Sequence, residues 1–404
     1  MATLIKSDRE TIELAKSLVE ERLGGIRKEV PPRQFNPLKP AEIEINEFAF
    51  QGETVPRIMV VLRSTGCEHY GTKQGCAPCA HFDGTTAEPV KAFEYVRQWK
   101  SVVDGSAIEE GVREGFDINK FPILCLYNLG SFTNPKEVPQ KAVGAIFRSI
   151  GKQPGIKKTI IESRAEYVTD ENLAPIRDNY RGLVEVGIGL ESSDDVVREL
   201  CHHKNMPDLE VFERAIDTLH RNGMRALAYV NQKPPFLTER EATEDAIRTA
   251  VYAYNAGADA VSIEPTSLQA HSLTDHLHQI GQYRVPWLWS VVETAKGVHD
   301  QMGREGTLDL RLGGYFDEQV LSGSQGVAPG VERNELFPHL TSGNCSRCDP
   351  RMVQAIKDYN KTGDLEVLTG QPHCDNCYST WEAANAVTDS RPVPQRIVET
   401  LSRQ

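Results

Sequence analysis

Three closely spaced cysteines are the residues whose pattern most directly predicts chemistry. Cys67, Cys76 and Cys79 have eight and two residues between them, on a segment rich in glycine. A closed structural metal site normally takes four protein ligands, so three thiolates indicate an iron-sulfur cluster with one iron open to a substrate or cofactor. The alternative that the spacing leaves open is a zinc site completed by His69 or His81.

Four further cysteines form a second set near the end of the chain. Cys345 and Cys348 make one Cys-x-x-Cys pair, Cys374 and Cys377 make another, and 25 residues lie between the pairs. Two such pairs offer four thiolates, the complete ligand set of a structural zinc ion or of an iron-sulfur cluster. We favour zinc in a structural role, with an auxiliary iron-sulfur cluster as the alternative, because both take four thiolates.

The composition is that of a folded protein with an acidic balance. The 404 residues include 45 Lys and Arg against 57 Asp and Glu, a formal charge of −12. No run approaches the roughly 18 apolar residues of a membrane span, and the N-terminus lacks the apolar block of a secretory signal. We therefore expect a cytoplasmic protein without membrane contact, whose thiols are reduced. The acidic balance argues against non-specific nucleic-acid binding over the whole surface, although a partner could present RNA.

The segment between the two cysteine sets alternates strand and helix patterns. Short apolar runs, each followed by a helix-length segment, lie at 58–62, 123–127, 158–162, 184–190, 227–231 and 260–263. Continuous apolar strands with helical crossovers predict a parallel sheet covered by helices, either a closed or partial barrel or a doubly wound sheet. A later run at 308–312 predicts one more strand.

Six motifs along this scaffold resemble those of the radical S-adenosylmethionine (SAM) superfamily. They are LRSTGC (62–67), YNLGSF (127–132), IESR (161–164), GIGLES (187–192), KPPFL (233–237) and YRVPWLWSV (283–291). Together and in this order they are similar to the radical SAM proteins of archaeosine biosynthesis, in the Elp3-like branch. The resemblance implies an α/β fold with a partial (β/α)6 TIM-like barrel at 57–315. It also implies an N-terminal helical extension at 1–56 and a small C-terminal extension with the four-cysteine site at 316–404.

The resemblance further implies the cofactors. Radical SAM enzymes bind a 4Fe-4S cluster through three cysteines, and the open iron binds SAM, which an electron from an external donor cleaves to a 5′-deoxyadenosyl radical. In this chain the three ligands would be Cys67, Cys76 and Cys79. Gly130 and Ser131 lie where the superfamily binds the amino group of SAM, at the end of the second strand.

Four charged residues at predicted strand ends are further candidates for cofactor contacts. Glu162 and Arg164 share one face of a strand, where they would either pair with each other or hold the carboxylate and ribose of SAM. Glu191 would contact ribose or substrate, or else cap the next helix together with Ser192. Lys233 would reach a carboxylate as a point charge, or else be solvated.

For function, the resemblance implies a lyase that acts on tRNA with an archaeosine-synthase-like partner. In that family a lysine is attached to a 7-deazaguanine base, and the radical enzyme cleaves a carbon-nitrogen bond in the lysine side chain to leave an amidine. Asn128 and Glu264 depart from the family's pattern near strand ends, so the alternative is a related cleavage in a small amino acid or nucleoside. The alternative of another class is a non-enzymatic zinc or iron-sulfur protein.

Overall fold

The computed structural model describes residues 9–30, 35–303, 308–314, 319–322 and 340–403. Its strands are β1 (Glu42–Phe50), β2 (Glu53–Val61), β3 (Ile123–Tyr127), β4 (Lys158–Ser163), β5 (Leu183–Glu191), β6 (Arg225–Gln232), β7 (Ala260–Pro265), β8 (Leu310–Leu312) and β9 (Gln319–Ser322). Its helices are α1 (Arg9–Lys28), α2 (Glu68–Lys73), α3 (Ala92–Val103), α4 (Glu110–Arg113), α5 (Gln140–Ile150), α6 (Asp170–Arg177), α7 (Glu210–Arg221), α8 (Glu239–Asn255), α9 (Leu273–Gln279), α10 (Leu288–Met302), α11 (Asp349–Thr362), α12 (Leu365–Thr369), α13 (Asp375–Ala386) and α14 (Val393–Leu401).

Within these described ranges, one nine-stranded sheet organises the fold, in the order β8-β7-β6-β5-β4-β3-β2-β1-β9. The neighbours from β2 to β8 are all parallel, and β1 pairs antiparallel with β2 and with β9. At least one helix connects each parallel strand to the next, because parallel neighbours need a crossover. The parallel sheet and the extra strand β8 are as predicted.

Strand β3 shows why these strands read as continuous apolar runs. Leu124 and Leu126 pack into the main core, which lies between the sheet and its covering helices. Ile123 and Cys125 point to the other face, where they form an inner cluster with Phe48 and Ile160. Side chains alternate between the faces of a strand, and here both faces are buried.

The sheet curls until its two ends approach each other. The Arg311 guanidinium on β8 lies 5.1 Å from the ring centre of Phe48 on β1, although six strands separate β8 from β1 in the sheet. Helix α11 contacts both of these strands, and Asn360 exchanges hydrogen bonds of 2.9 and 2.8 Å with the backbone of Leu312. The fold is therefore the predicted partial TIM-like barrel, with the cysteine-rich C-terminal region packed against it.

The N-terminal region contains more sheet than the predicted helical extension at 1–56. Helix α1 is followed by β1, which forms a hairpin with β2 through the turn at Gln51 and Gly52, both with positive φ. The first parallel strand accordingly begins at Glu53 rather than at residue 58. Strand β1 was missed because acidic and polar residues interrupt its apolar pattern: Ile43 and Phe48 are buried on opposite faces, and Glu44 and Asn46 are buried on the same face as Phe48.

The two ends of the described chain meet in a second apolar cluster. Ala15, Val19 and Leu23 on α1 pack in one cluster with Ile397 and Leu401 on α14. No described helix combines the length and apolar character needed to cross a bilayer. The predicted boundary between residues 315 and 316 lies outside the described residues.

Candidate active site

A cavity of about 500 Å³ occupies the interior of the curled sheet. Side chains from every strand between β1 and β8 line it, together with loops that follow β2, β3, β4, β5 and β7. Loops at the C-terminal ends of parallel strands are where such folds bind ligands and perform chemistry. This cavity is therefore the candidate active site.

The cysteines predicted as cluster ligands all face this cavity. Cys67, Cys76 and Cys79 line it, on the loop between β2 and α3. Burial raises the pKa of the Cys67 thiol to about 12. Burial acts in the same direction at Cys79, but the neighbouring His81 outweighs it and leaves that pKa at about 7. The Cys79 thiolate in turn raises the pKa of His81 to about 9.

Gly130 packs directly against the first of these cysteines. A Cβ on Gly130 would come within 2.9 Å of the Cys67 backbone nitrogen and would collide with the Glu137 carboxylate. Only glycine allows the loop after β3 to approach so closely. The neighbouring Ser131 accepts a hydrogen bond of 3.2 Å from the Arg164 backbone N–H, which ties this loop to the end of β4.

Glu137 is a buried carboxylate that joins the loop after β3 to the cysteine loop. It accepts hydrogen bonds from the backbone N–H of Glu68 at 2.8 Å and from that of Ser131. The Asn134 side chain donates to the same carboxylate at 3.0 Å. Burial raises the pKa of Glu137, and these N–H donors act against that rise. Glu137 thereby holds the loop after β3 at a set distance from Cys67.

Arg27 on α1 braces the cysteine loop from outside the barrel. Its guanidinium donates to the carbonyl oxygens of Cys76 at 3.2 Å and Cys79 at 2.8 Å. The same group donates to Gln74 O at 3.2 Å and to His271 O. One guanidinium has five N–H donors in a fixed fork, so a single side chain satisfies several backbone carbonyls of two neighbouring loops. Neither the charge of Arg27 nor its position in the sequence predicts this contact with the cysteine loop.

Glu162 lines the cavity at the end of β4, as predicted for a strand-end residue. Its carboxylate accepts a hydrogen bond of 3.0 Å from the Tyr229 hydroxyl. Tyr229 lies on β6, so its side chain reaches across β5 to make this contact. A Cβ on Gly187 of β5 would lie 2.5 Å from the Tyr229 ring, so glycine leaves the space for this crossing. Burial raises the pKa of Glu162.

The structure separates the two predicted cations. Arg164 lines the cavity, and its Nε lies 2.5 Å from Glu166 Oε1, so it does not pair with Glu162 as one alternative proposed. Lys233 is buried and forms an ion pair with Glu239. It is not among the described residues that line the cavity, and it is not solvated. The carboxylate that Lys233 reaches is thus a residue of the protein, at the start of α8.

Glu191 lines the cavity with two partners that the sequence did not indicate. Lys204 Nζ donates to one carboxylate oxygen of Glu191 at 2.7 Å, and His202 Nε2 lies 3.5 Å from the other. Burial alone would raise the pKa of Glu191, but the charge of Lys204 reverses this and lowers it. A Cβ on Gly189 would collide with the Lys204 ammonium. After the π-helical turn at 197–201 the chain returns to the end of β5, where Lys204 meets Glu191. No local sequence motif predicts this contact.

The second cysteine set forms a compact group outside the cavity. The sulfur atoms of Cys345, Cys348, Cys374 and Cys377 all lie within 4.8 Å of one another. The Cys348 and Cys377 sulfurs are 3.5 Å apart, and Arg347 Nη2 donates to the Cys374 sulfur at 3.3 Å. Four thiols at this separation can enclose one metal ion.

Comparison with known proteins decides the family. The chain is 30% identical over 388 residues to archaeosine synthase subunit beta of Methanosarcina acetivorans, which covers 94% of this chain and 97% of that protein. This chain belongs to the archaeosine synthase subunit beta family. The sequence motifs predicted the same family.

Other matches extend over most of the chain. Archaeosine synthase subunit beta of Thermococcus kodakarensis is 27% identical over 333 residues, 80% of this chain and 90% of that protein. Among solved structures, methylornithine synthase (PylB) aligns over 94% of both chains, with a TM-score of 0.42 and 12% identity. No protein-family model matches the chain.

Proposed function

We propose that this member of the family binds a 4Fe-4S cluster and SAM in its cavity and cleaves a carbon-nitrogen bond in a lysine-bearing 7-deazaguanine of tRNA. The observation that carries the proposal is that Cys67, Cys76 and Cys79 share one cavity with Glu162 and Arg164. The name of the relatives, archaeosine synthase subunit beta, supports both the tRNA substrate and a partner subunit.

The donor set of the cavity fits a cluster with one open iron. Three thiolates leave one iron of a 4Fe-4S cluster without a protein ligand. The other cysteine that lines the cavity, Cys125, belongs to the apolar inner cluster and so does not complete a fourth position. When bound, the cluster and SAM supply a 5′-deoxyadenosyl radical that abstracts a hydrogen atom from the substrate. The electron comes from an external donor.

The chain's own residues would orient SAM and keep water out. The backbone of Gly130 and Ser131 lies beside Cys67, where carbonyl oxygens accept from an ammonium group. Arg164 places positive charge on the same wall, suited to the carboxylate of SAM, and Glu162 offers acceptors for ribose hydroxyls. The apolar inner cluster excludes water below them, which a reactive carbon radical requires.

We further propose that the four C-terminal cysteines bind zinc in a structural role. Their site is next to a well-packed contact between the tail and the barrel helices, where the Trp381 indole N–H donates to Ser290 Oγ at 2.9 Å. None of the four cysteines is among the described residues that line the cavity. A closed site in this place would hold the tail against α10 without taking part in the reaction.

Anaerobic reconstitution with metal counts and product assays tests both parts. We expect about four irons and one zinc per chain, and 5′-deoxyadenosine from SAM in the presence of a strong reductant. With the partner subunit and tRNA that carries the lysine-substituted base, we expect the amidine nucleoside by mass spectrometry.

Three outcomes of this experiment would contradict the proposal, each in a different part. Formation of 5′-deoxyadenosine with unchanged tRNA, but with conversion of a small amino acid or nucleoside, would overturn the substrate assignment. Zinc without iron, together with intact SAM, would overturn the cofactor assignment. About eight irons without zinc would show that the tail holds a second cluster instead.

A further inference from the structure

Glu264 on β7 is a carboxylate that lines the cavity and has no role in the proposed binding of SAM. Its Oε1 accepts a hydrogen bond of 2.7 Å from Ser262 Oγ, and no ion pair or second hydrogen bond to this carboxylate occurs among the described residues. Gly313 packs against it so closely that a Cβ there would collide with the carboxylate. Glu264 is therefore held firmly by the protein, while its second oxygen is left for a ligand.

Most cations that line the cavity pair with carboxylates other than Glu264. The cations of the wall have carboxylate partners of their own, namely Arg164 with Glu166, Lys204 with Glu191, and Arg311 with Glu185. Arg57 acts on Glu264 across the cavity, and it also donates to Asn46 Oδ1 at 2.7 Å. Burial nevertheless raises the pKa of Glu264 to about 7, and the carboxylates of Glu162 and Glu191 add to the rise. A cationic ligand would relieve this excess of negative charge.

We propose that Glu264 binds the α-ammonium group of the lysine carried by the substrate, an inference that rests on the proposed function. Cleavage in the lysine side chain leaves the α-ammonium outside the reacting bonds, as a cation that can anchor the substrate. A charge-assisted hydrogen bond to a fixed carboxylate would set how deeply the lysine enters the cavity and hence which carbon faces the radical. Glu264 is then a specificity-determining residue that does not touch the reacting atoms.

The first test compares Glu264→Gln with the wild-type enzyme, using the partner subunit and lysine-bearing tRNA. The amide keeps the size of the side chain but removes its charge. We expect kcat/KM to fall by about 10- to 100-fold, mainly through KM, because a hydrogen bond to a charged group is lost. Glu210→Gln, at an exposed ion pair on α7, is the matched control. Iron content and the thermal unfolding midpoint are measured for each variant to show that the cavity is intact.

The second test changes the substrate instead of the protein. A tRNA whose base carries 6-aminohexanoate in place of lysine lacks the α-ammonium but keeps the side-chain linkage. The kcat/KM of the wild-type enzyme should fall by the same 10- to 100-fold with this substrate. The Glu264→Gln variant should show no additional loss, because both changes remove the same contact. The analogue needs no variant, so a variant that fails to fold does not block the test.

The outcomes separate this inference from the proposed function. If the wild-type enzyme converts both substrates equally well, or if Glu264→Gln matches the wild type, the ammonium assignment is overturned and the proposed function stands. If the wild-type enzyme leaves lysine-bearing tRNA unchanged, the proposed function fails and the assignment fails with it.

Discussion

The two cysteine sites of this protein are built in opposite ways. The four tail sulfurs lie within 4.8 Å of one another, and α11 and α13 begin directly after Cys348 and Cys374. The three cavity cysteines depend on distant elements, since Arg27 reaches their loop from α1, and Gly130 and Glu137 reach it from the segment after β3. One site is thus assembled by two local turns, and the other by the whole barrel.

This difference corresponds to what each site is proposed to do. A structural metal needs only a closed ligand set, which short loops next to helix starts can provide. A reactive cofactor must also be placed relative to a substrate cavity, and that placement needs rigid neighbours that hold the ligands in position. Changes to the neighbours should therefore disturb the cavity site strongly and leave the tail site alone.

The largest effect is expected from removing the cavity thiols. The triple variant Cys67→Ala, Cys76→Ala and Cys79→Ala should lose all iron, about four per chain, and all formation of 5′-deoxyadenosine, because the cluster has no other ligands. Its zinc content should stay at about one per chain. Metal analysis and product chromatography measure both. Cys201→Ala, in the apolar cluster between the chain ends, is the control and should keep its iron. Full iron content in the triple variant would show that the assignment is wrong.

The second largest effect is expected from a single methyl group at Gly130. Gly130→Ala should reduce the rate of 5′-deoxyadenosine formation by about 100-fold, because the added Cβ pushes the loop after β3 away from Cys67. Gly71→Ala is a matched control in the same region, since a Cβ at Gly71 meets no atom within 4 Å. Similar rates for the two variants would contradict the close packing described above.

Loss of the Arg27 brace should have a smaller effect on catalysis and a clear effect on stability. Arg27→Gln should lower the free energy of unfolding by about 2–4 kcal/mol, because loop carbonyls lose buried donors, and should slow iron loading. Chemical denaturation and absorbance during reconstitution measure the two effects. Arg27→Lys should restore little of the lost stability or of the rate of iron loading, since an ammonium lacks the planar fork of donors. Lys28→Gln, at an exposed position next to it, is the control.

The smallest effect on the cavity is expected from breaking the tail site. Cys348→Ser should remove about one zinc per chain and lower the thermal unfolding midpoint, because metal binding contributes to folding of the tail. Iron content should remain unchanged, since the tail cysteines do not line the cavity in the described part of the chain. A loss of iron in this variant would show that the two sites depend on each other.

The sequence indicated the strands and the two groups of cysteines better than the contacts that surround them. The parallel strands were predicted because burial on both faces leaves continuous apolar runs, as in β3. Strand β1 was missed because acidic and polar residues interrupt its apolar positions, although two of them, Glu44 and Asn46, are buried. Glu162 and Glu191 were predicted to lie at the cavity because each stands at the end of an apolar run, where the strand ends.

The contacts of two lysines could not be predicted from the local sequence. Lys233 follows a strand in the same way as Glu162, yet it turns away from the cavity to pair with Glu239. Lys204, which does reach the cavity, is separated from its strand by a π-helical turn. A strand end predicts that a side chain is near the cavity, but the partners that the tertiary structure brings to it decide where the side chain goes.

The sequence by itself determined the grouping of the cysteines and the order of the parallel strands and the helices between them, since both depend on spacing and periodicity over short stretches, and its motifs indicated the family by resemblance. Only the tertiary structure decided which distant residues meet: Arg27 with the cysteine loop, Tyr229 with Glu162 across Gly187, and Gly313 with the carboxylate of Glu264. These contacts depend on how far the sheet curls and how each loop turns, which are long-range properties of the packed chain.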